Sequence, residues 1–192
     1  MNNSRLHSLV EGAIMVALAA VLSYIRIFKL PWGGSITLVS MLPIMLYSIR
    51  HGIKKGLGAA FAFSLIQLFQ GISDGLFAWG LTPLMLVACI LIDYIFAFSV
   101  LGFAGLFSKN GLAGYIGGTA LAGLLRFLCH FLSGVIIWHS FGELWEGFST
   151  ENEWLYSLLY NGAYMLPEII FTQIAAAALF KLPQTKKLFG LK

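Results

Sequence analysis

Apolar residues run along this chain in long continuous stretches rather than in alternation. Read between polar or Gly/Pro-containing breaks, the stretches cover residues 8 to 27, 36 to 49, 55 to 72, 81 to 107, 112 to 138 and 155 to 180. A barrel strand would alternate apolar and polar side chains with a period of two, whereas continuous apolarity over about 20 residues fits a helix crossing the hydrocarbon core. Lipid offers no partner to backbone N–H and C=O groups, so a spanning segment must satisfy them within a helix or a closed barrel. The pattern therefore predicts an all-α integral membrane protein, a bundle of six transmembrane helices forming one domain over residues 1 to 192. The second stretch is short, and the break before it, FKLPWGGSIT at 28 to 37, combines a proline with paired glycines in a loop able to fold over or approach a ligand. No internal repeat is visible.

Composition strengthens this reading. Hydrophobic residues make up 59% of the chain and charged residues 10%, against about 25% charged in soluble domains. The net charge of +4 does not point to nucleic acid, because the basic residues sit at the ends of apolar runs and form no stripe with interleaved aromatics. Six spans put both termini on one side. That side carries Arg5, Arg50, Lys54, Lys55, Lys109, Lys181, Lys186, Lys187 and Lys192, while the other carries only Arg26 and Lys29. The positive-inside rule then makes the termini cytoplasmic. The outer side holds the glycine loop, Asp74 and the acidic residues Glu143, Glu146, Glu151 and Glu153. Such a rim favours encounter with a cation, although positive-inside sorting alone also leaves acids outside. Cys89 and Cys129 lie in apolar runs without a CxxC spacing and read as core residues. The basic, then apolar N-terminus is interrupted by Glu11 and leads to no small-residue cleavage site, so it reads as the first helix rather than a signal peptide.

Ionisable side chains inside a span cost about 2.5 to 3.5 kcal/mol on insertion scales, so each needs a partner or a purpose. Asp93 lies mid-span, Arg126 and His130 lie one turn apart, and Glu168 follows Pro167 in the last span. Positions 126, 130, 134 and 138 advance four residues at a time, so Arg126, His130, Gly134 and Trp138 share one broad helix face. A cation, an imidazole, a gap and an indole make a slot for a flat polar ring, with Gly134 admitting the ring. The alternative is a structural Arg126 paired with Asp93 or Glu168. In the last span Asn161, Tyr164 and Glu168 share a face, and Tyr156 lies about a third of a turn off it. Asn161 offers a donor and an acceptor, and Pro167 frees a nearby carbonyl. Tyr156, Tyr160 and Trp154 also fit an interfacial belt. Two small-residue stripes permit close helix contact: Ala13, Ala17 and Ala20 in span one, and Gly114, Gly118 and Ala122 in span five. Internal packing is the default for both, with an external partner the alternative for span one.

The segments EGAIMVALA, GGSITLVSMLPIMLYSIRHG, LIDYIFAFSVLGFAGLF, RFLCHFLSGVIIW and YSLLYNGAYMLPE, taken in this order across nearly the whole chain, resemble the thiamine-specific substrate-binding subunits (S components) of energy-coupling factor transporters. The resemblance implies six helices with cytoplasmic termini, in the plasma membrane of a prokaryote, and a thiamine pocket near the outer face capped by the loop between spans one and two. It places Asp93, Tyr94, His130, Gly134, Trp138, Tyr156 and Asn161 at thiamine-contacting positions. Arg126 stands where another member has lysine. Asp93 stands where one member has glutamate, which keeps the charge and shortens the reach by one methylene. Trp32 falls where a lidding tryptophan would lie. Ala13 and Ala17 match an Ala-xxx-Ala stripe on which the family docks its transmembrane coupling protein.

The chemistry of thiamine agrees with this set. Its thiazolium cation needs a carboxylate and aromatic faces, and its aminopyrimidine needs amide or imidazole partners. The expected function is thus capture of thiamine for an importer, with a coupling protein and two ATP-binding subunits as partners, no cofactor, and no catalysis. No GxxxxGK[ST] occurs, so ATP hydrolysis is assigned to separate chains. Two other readings remain: the same scaffold binding another flat vitamin or precursor such as hydroxymethylpyrimidine, or an intramembrane enzyme using His130 with Asp93 or Glu168. The second has no HExxH, GxSxG or paired-aspartate motif behind it.

Overall fold

The computed structural model describes residues 3–30, 33–140 and 142–191, which are helical apart from two small hairpins and short connections. Helix α1 covers Asn3–Tyr24 and leads into strand β1 (Arg26–Lys29), which pairs antiparallel with β2 (Ser35–Thr37). Helices α2 (Leu42–His51) and α3 (Ile53–Ser73) follow, then two long helical segments, α4 over 83–110 and α5 over 111–138. A second hairpin, β3 (Gly142–Trp145) with β4 (Phe148–Thr150), precedes the long helix α6 (Glu153–Lys181) and the short α7 (Pro183–Phe189).

Four stretches are long and apolar enough to cross a membrane: Arg5–Tyr24, Ile53–Ser73, Pro83–Trp138 and Glu153–Lys181. The third is 56 residues long and is folded in two, because Gly111 takes a φ of +61° that only glycine adopts freely. The halves then run back along each other at very close range. A Cβ on Gly114 would overlap the Phe107 carbonyl oxygen, and one on Gly118 the Ala104 carbonyl oxygen. The glycine stripe of span five thus serves packing within the chain.

Two boundaries differ from those the apolar pattern predicts. The first helix ends at Tyr24 rather than 27, and the second begins at Leu42 rather than 36. The residues released on each side pair as β1 and β2, with Arg26 opposite Thr37 and Lys29 opposite Ser35. ITLV is as compatible with a strand as with a helix, and apolarity alone does not separate the two. Pro43 fixes the start of α2, since its ring suits the first helical turn.

Helix α2 is the axis of the core. Leu42, Ile44, Met45 and Ile49 are buried and meet Phe63 of α3, Leu101 of α4 and Met165 of α6. The periphery is also apolar, with Leu9, Val21, Leu84 and Ile174 all more than half exposed, as suits side chains facing lipid. Polar ties cross the bundle: Ser48 of α2 donates to the Gly102 carbonyl and accepts from the Gly105 amide of α4, and Glu11 of α1 pairs with Arg50 of α2.

The close approach of α4 and α5 makes a paired test. Gly118→Val overpacks the contact and is expected to cost about 1 to 3 kcal/mol. Gly58→Ala, in α3 with nothing near the added methyl, is expected to be neutral or stabilising by about 0.5 to 1 kcal/mol. Thermal unfolding of the purified variants in detergent measures both.

Candidate ligand-binding site

The hairpin β1–β2 and helices α3, α4, α5 and α6 enclose a cavity of about 720 Å³. Nine of the residues singled out from sequence line it: Asp93, Tyr94, Arg126, His130, Gly134, Trp138, Tyr156, Asn161 and Tyr164. They come from three helices, with Asp93 and Tyr94 on α4, Arg126 through Trp138 on α5, and the remainder on α6. Glu168 is not part of its wall, Ala13 and Ala17 lie exposed on the outside of α1, and Trp32 lies outside the described residues.

Local helix geometry positions these groups. Ile90–Phe96, which carries Asp93 and Tyr94, and Gly134–Trp138 both open into wider i to i+5 turns. Such turns are rare and gather at functional sites, because they rotate side chains out of the regular register. Here they turn Asp93 and Trp138 toward one another across the α4–α5 interface. The Asp93 carboxylate receives donors from both helices. His130 Nδ1 lies 3.0 Å from Oδ1, Ser133 Oγ donates to Oδ2, Trp138 Nε1 lies 3.5 Å from Oδ2 and the Cys89 thiol 3.4 Å away. A carboxylate accepts, so Nδ1 carries the proton, and in the neutral ring Nε2 is then an acceptor. His130 Nε2 is buried without a protein partner.

Aromatic rings surround this polar centre. Trp138 meets Trp79 edge-on at 5.5 Å between centroids, His130 packs against Phe98 and Tyr164, and Tyr156 stacks near-parallel on Tyr160 at 6.4 Å. Arg126 is 7% exposed, and its guanidinium lies 4.2 Å above the Phe98 ring. Among the described residues no carboxylate forms an ion pair with it, neither Asp93 nor Glu168, and its Nε has no hydrogen-bond partner. The aromatic face takes the place of the expected acid.

Three residues act differently from their expected parts. The space beside Gly134 admits helix α6 rather than a ring: a Cβ there would collide with Ser157 Oγ. The Asn161 amide is largely engaged by the protein, donating to the Ser157 carbonyl at 2.9 Å and the His130 carbonyl at 3.2 Å and accepting from Tyr164 Oη at 2.8 Å. It fixes the α5–α6 contact and the cavity wall together. Glu168, 1% exposed, accepts from the Thr37 amide at 2.6 Å and the Thr37 hydroxyl at 2.5 Å. Its carboxylate faces β2.

Sequence reasoning passed over Gln67, Gln70, Trp79 and Thr37, all in the cavity wall, and placed Asp74, also in the wall, only on the outer rim. Gln67 and Gln70 carried a signal, two amides at i and i+3 in an otherwise apolar span. Gln70 donates to Ser23 Oγ at 2.7 Å, and Gln67 Nε2 is buried without a partner. The pairing of Asp74 is tertiary and was not legible: it bridges Arg26 at 2.7 Å and Lys29 at 3.2 Å and ties β1 to the end of α3.

A helical bundle with several membrane-length apolar helices around an aromatic-walled cavity that holds a half-buried carboxylate defines a multi-pass membrane protein. The profile of the thiamine transporter protein family (Thia_YuaJ) matches residues 9–188, and the chain belongs to that family. It is 33% identical to the thiamine transporter ThiT of Bacillus subtilis (strain 168), over 94% of each chain. It is 26% identical to ThiT of Lacticaseibacillus paracasei, over 89% of this chain and 85% of that one. A solved structure of ThiT from Listeria monocytogenes superposes with a TM-score of 0.73 at 30% identity, covering 97% of this chain and 99% of the other.

The contact at Gly134 yields a coupled test. Gly134→Ala is expected to destabilise by about 1 to 3 kcal/mol through overpacking. Adding Ser157→Ala removes the atom nearest the new methyl, so the double variant is expected to be more stable than Gly134→Ala alone. A double-mutant cycle on thermal unfolding checks it, and strict additivity would show that the two helices do not meet there.

Proposed function

We propose that this chain is the thiamine-binding subunit of an energy-coupling factor importer, and that thiamine occupies the cavity between the β1–β2 hairpin and helices α3 to α6. The observation that carries the reading is a cavity lined by a half-buried carboxylate, Asp93, together with three buried polar atoms without protein partners: His130 Nε2, Gln67 Nε2 and Arg126 Nε. Unpaired buried polar groups are costly, and a ligand with matching donors and acceptors removes that cost. Thiamine supplies an amino group for His130 Nε2, ring nitrogens and a hydroxyl for the amide and guanidinium donors, and a thiazolium cation. The cation gains about 0.5 to 2 kcal/mol from each aromatic face it meets, and Asp93 offsets its charge in a low-dielectric site.

In this reading the protein crosses the plasma membrane of a prokaryote six times, with both termini in the cytoplasm. Helix α2, only 10 residues long, is the short span, and α4 and α5 are separate spans. Capture precedes reorientation driven by ATP hydrolysis in two partner ATP-binding subunits, transmitted by a transmembrane coupling protein. Helix α1 presents Ala13 and Ala17 outward, a flat strip on which a partner helix fits. The protein catalyses no reaction in this scheme.

Isothermal titration of the detergent-purified protein with thiamine tests the reading directly, and no binding would end it. Asp93→Asn is expected to weaken thiamine binding about 30-fold or more, and an uncharged pyrimidine analogue much less. Equal losses for both ligands would make Asp93 a structural acceptor only. Replacing Ala13 and Ala17 together by tryptophan is expected to leave thiamine affinity of the isolated subunit unchanged while abolishing uptake in cells that supply the partners. Uptake at the normal rate would remove α1 as the docking face.

A further inference from the structure

Glu168 sits in the middle of α6, buried, outside the cavity wall, and engaged with one residue through both oxygens. That residue, Thr37, ends β2 and itself lines the cavity. The stretch leading to it crosses the cavity. A Cβ on Gly33 would lie 3.2 Å from the Trp79 ring, and one on Gly34 would lie 2.7 Å from Tyr164 and 3.2 Å from Tyr160. The segment 33–37 therefore runs from Trp79 on one side to α6 on the other, and positions 33 and 34 leave little room for a side chain.

The chain after Thr37 is strained. Val39 has a φ of +50°, an outlier for a β-branched residue. Its amide donates to the Thr37 carbonyl at 2.9 Å, and its carbonyl accepts from Leu42 at the start of α2 at 3.0 Å. Strain of this kind persists only where the surroundings over-determine it. Thr37 is the fixed end of the turn. With the hydroxyl proton directed at Glu168, Thr37 Oγ1 is free to accept from Ser40 Oγ, 2.8 Å away. Carboxylate, Thr37, Ser40 and the Val39 turn thus form one unit joining α6 to the segment that covers the cavity.

We infer that Glu168 is a positioning residue for ligand retention: acting through Thr37, it anchors the segment 33–37 across the cavity and thereby sets how slowly a bound molecule leaves. The inference rests on the cavity being the thiamine site. Glutamine is the informative replacement. It keeps the shape but removes the charge, and its NH₂ group donates where the carboxylate accepted, so at least one charge-assisted bond from Thr37 is lost. Aspartate would retain the charge and fall short by one methylene.

The experiment compares full-length wild type, Glu168→Gln, Thr37→Val and the double variant in detergent. Three readouts are taken: dissociation rate of thiamine by stopped-flow tryptophan fluorescence, affinity for thiamine and for an uncharged pyrimidine analogue, and amide hydrogen exchange of residues 33–40 without ligand. Loss of one charge-assisted hydrogen bond from the anchor is expected to speed dissociation about tenfold in Glu168→Gln. Both ligands should weaken by similar factors, exchange at 33–40 should rise, and the double variant should be less affected than the product of the singles. A loss confined to the cationic ligand would overturn the proposal and make Glu168 an electrostatic ligand for the cation. Unchanged dissociation and exchange would overturn it as well. Should Glu168→Gln fail to fold, Thr37→Val carries the same comparison, with the hydroxyl replaced by a methyl group and the amide bond to Glu168 kept. If wild type binds no thiamine, the proposed function fails, and the ligand-free exchange still decides the anchor: faster exchange at 33–40 supports it and unchanged exchange overturns it.

Discussion

A carboxylate set among apolar helices is costly unless donors meet it, and around Asp93 those donors tie α4 to α5. His130, Ser133 and Trp138 all reach it from α5, over eight residues. A regular helix would not aim residues 130, 133 and 138 at one point, and the wider turn over Gly134–Trp138 brings the last of them round. The tight fold at Gly111 and the bare backbones at Gly114 and Gly118 let the two helices approach closely enough for this to happen. That contact sets the polar centre of the cavity, while its aromatic wall is shared with α6 and with Trp79 ahead of α4.

The other charges near the site meet the same constraint by different means. Arg126 lies over the Phe98 ring, where the negative π face replaces a counter-ion. Glu168 finds a backbone amide and a hydroxyl in a single residue of another element, which converts the desolvation demand of an acid into a tether between α6 and the β1–β2 hairpin. Asp74 uses the basic residues of β1 and holds the hairpin from its other side. The hairpin is thus fixed at two points by acids from two helices, and its Gly33 and Gly34 lie against the rings of Trp79, Tyr160 and Tyr164.

The proposed function gives these arrangements a use. A permanently charged flat molecule entering an apolar bundle needs a compensating carboxylate, rings to lie against and hydrogen-bonding groups at its edge. The cavity gathers groups of these kinds from α3, α4, α5 and α6. No single helix carries the set, so the cavity exists only in the assembled bundle.

Apolar periodicity and composition alone determined that this chain is a helical membrane protein, because the length and continuity of Pro83–Trp138 or Glu153–Lys181 admit no other way of satisfying backbone groups in lipid. The same constraint made the intramembrane residues legible: Asp93, Arg126 and His130 stand out where charge is costly, and all three line the cavity. Their partners were not legible. Whether Arg126 met an acid or a ring, whether the gap at Gly134 held a ligand or Ser157, and whether Glu168 faced the cavity or Thr37 depended on distances between segments up to 131 residues apart. The hairpin 26–37 was hidden for a similar reason, since a short apolar run becomes strand or helix according to what it pairs with. One-dimensional pattern records the cost of placing a group in lipid, and only tertiary structure chooses which neighbour relieves it.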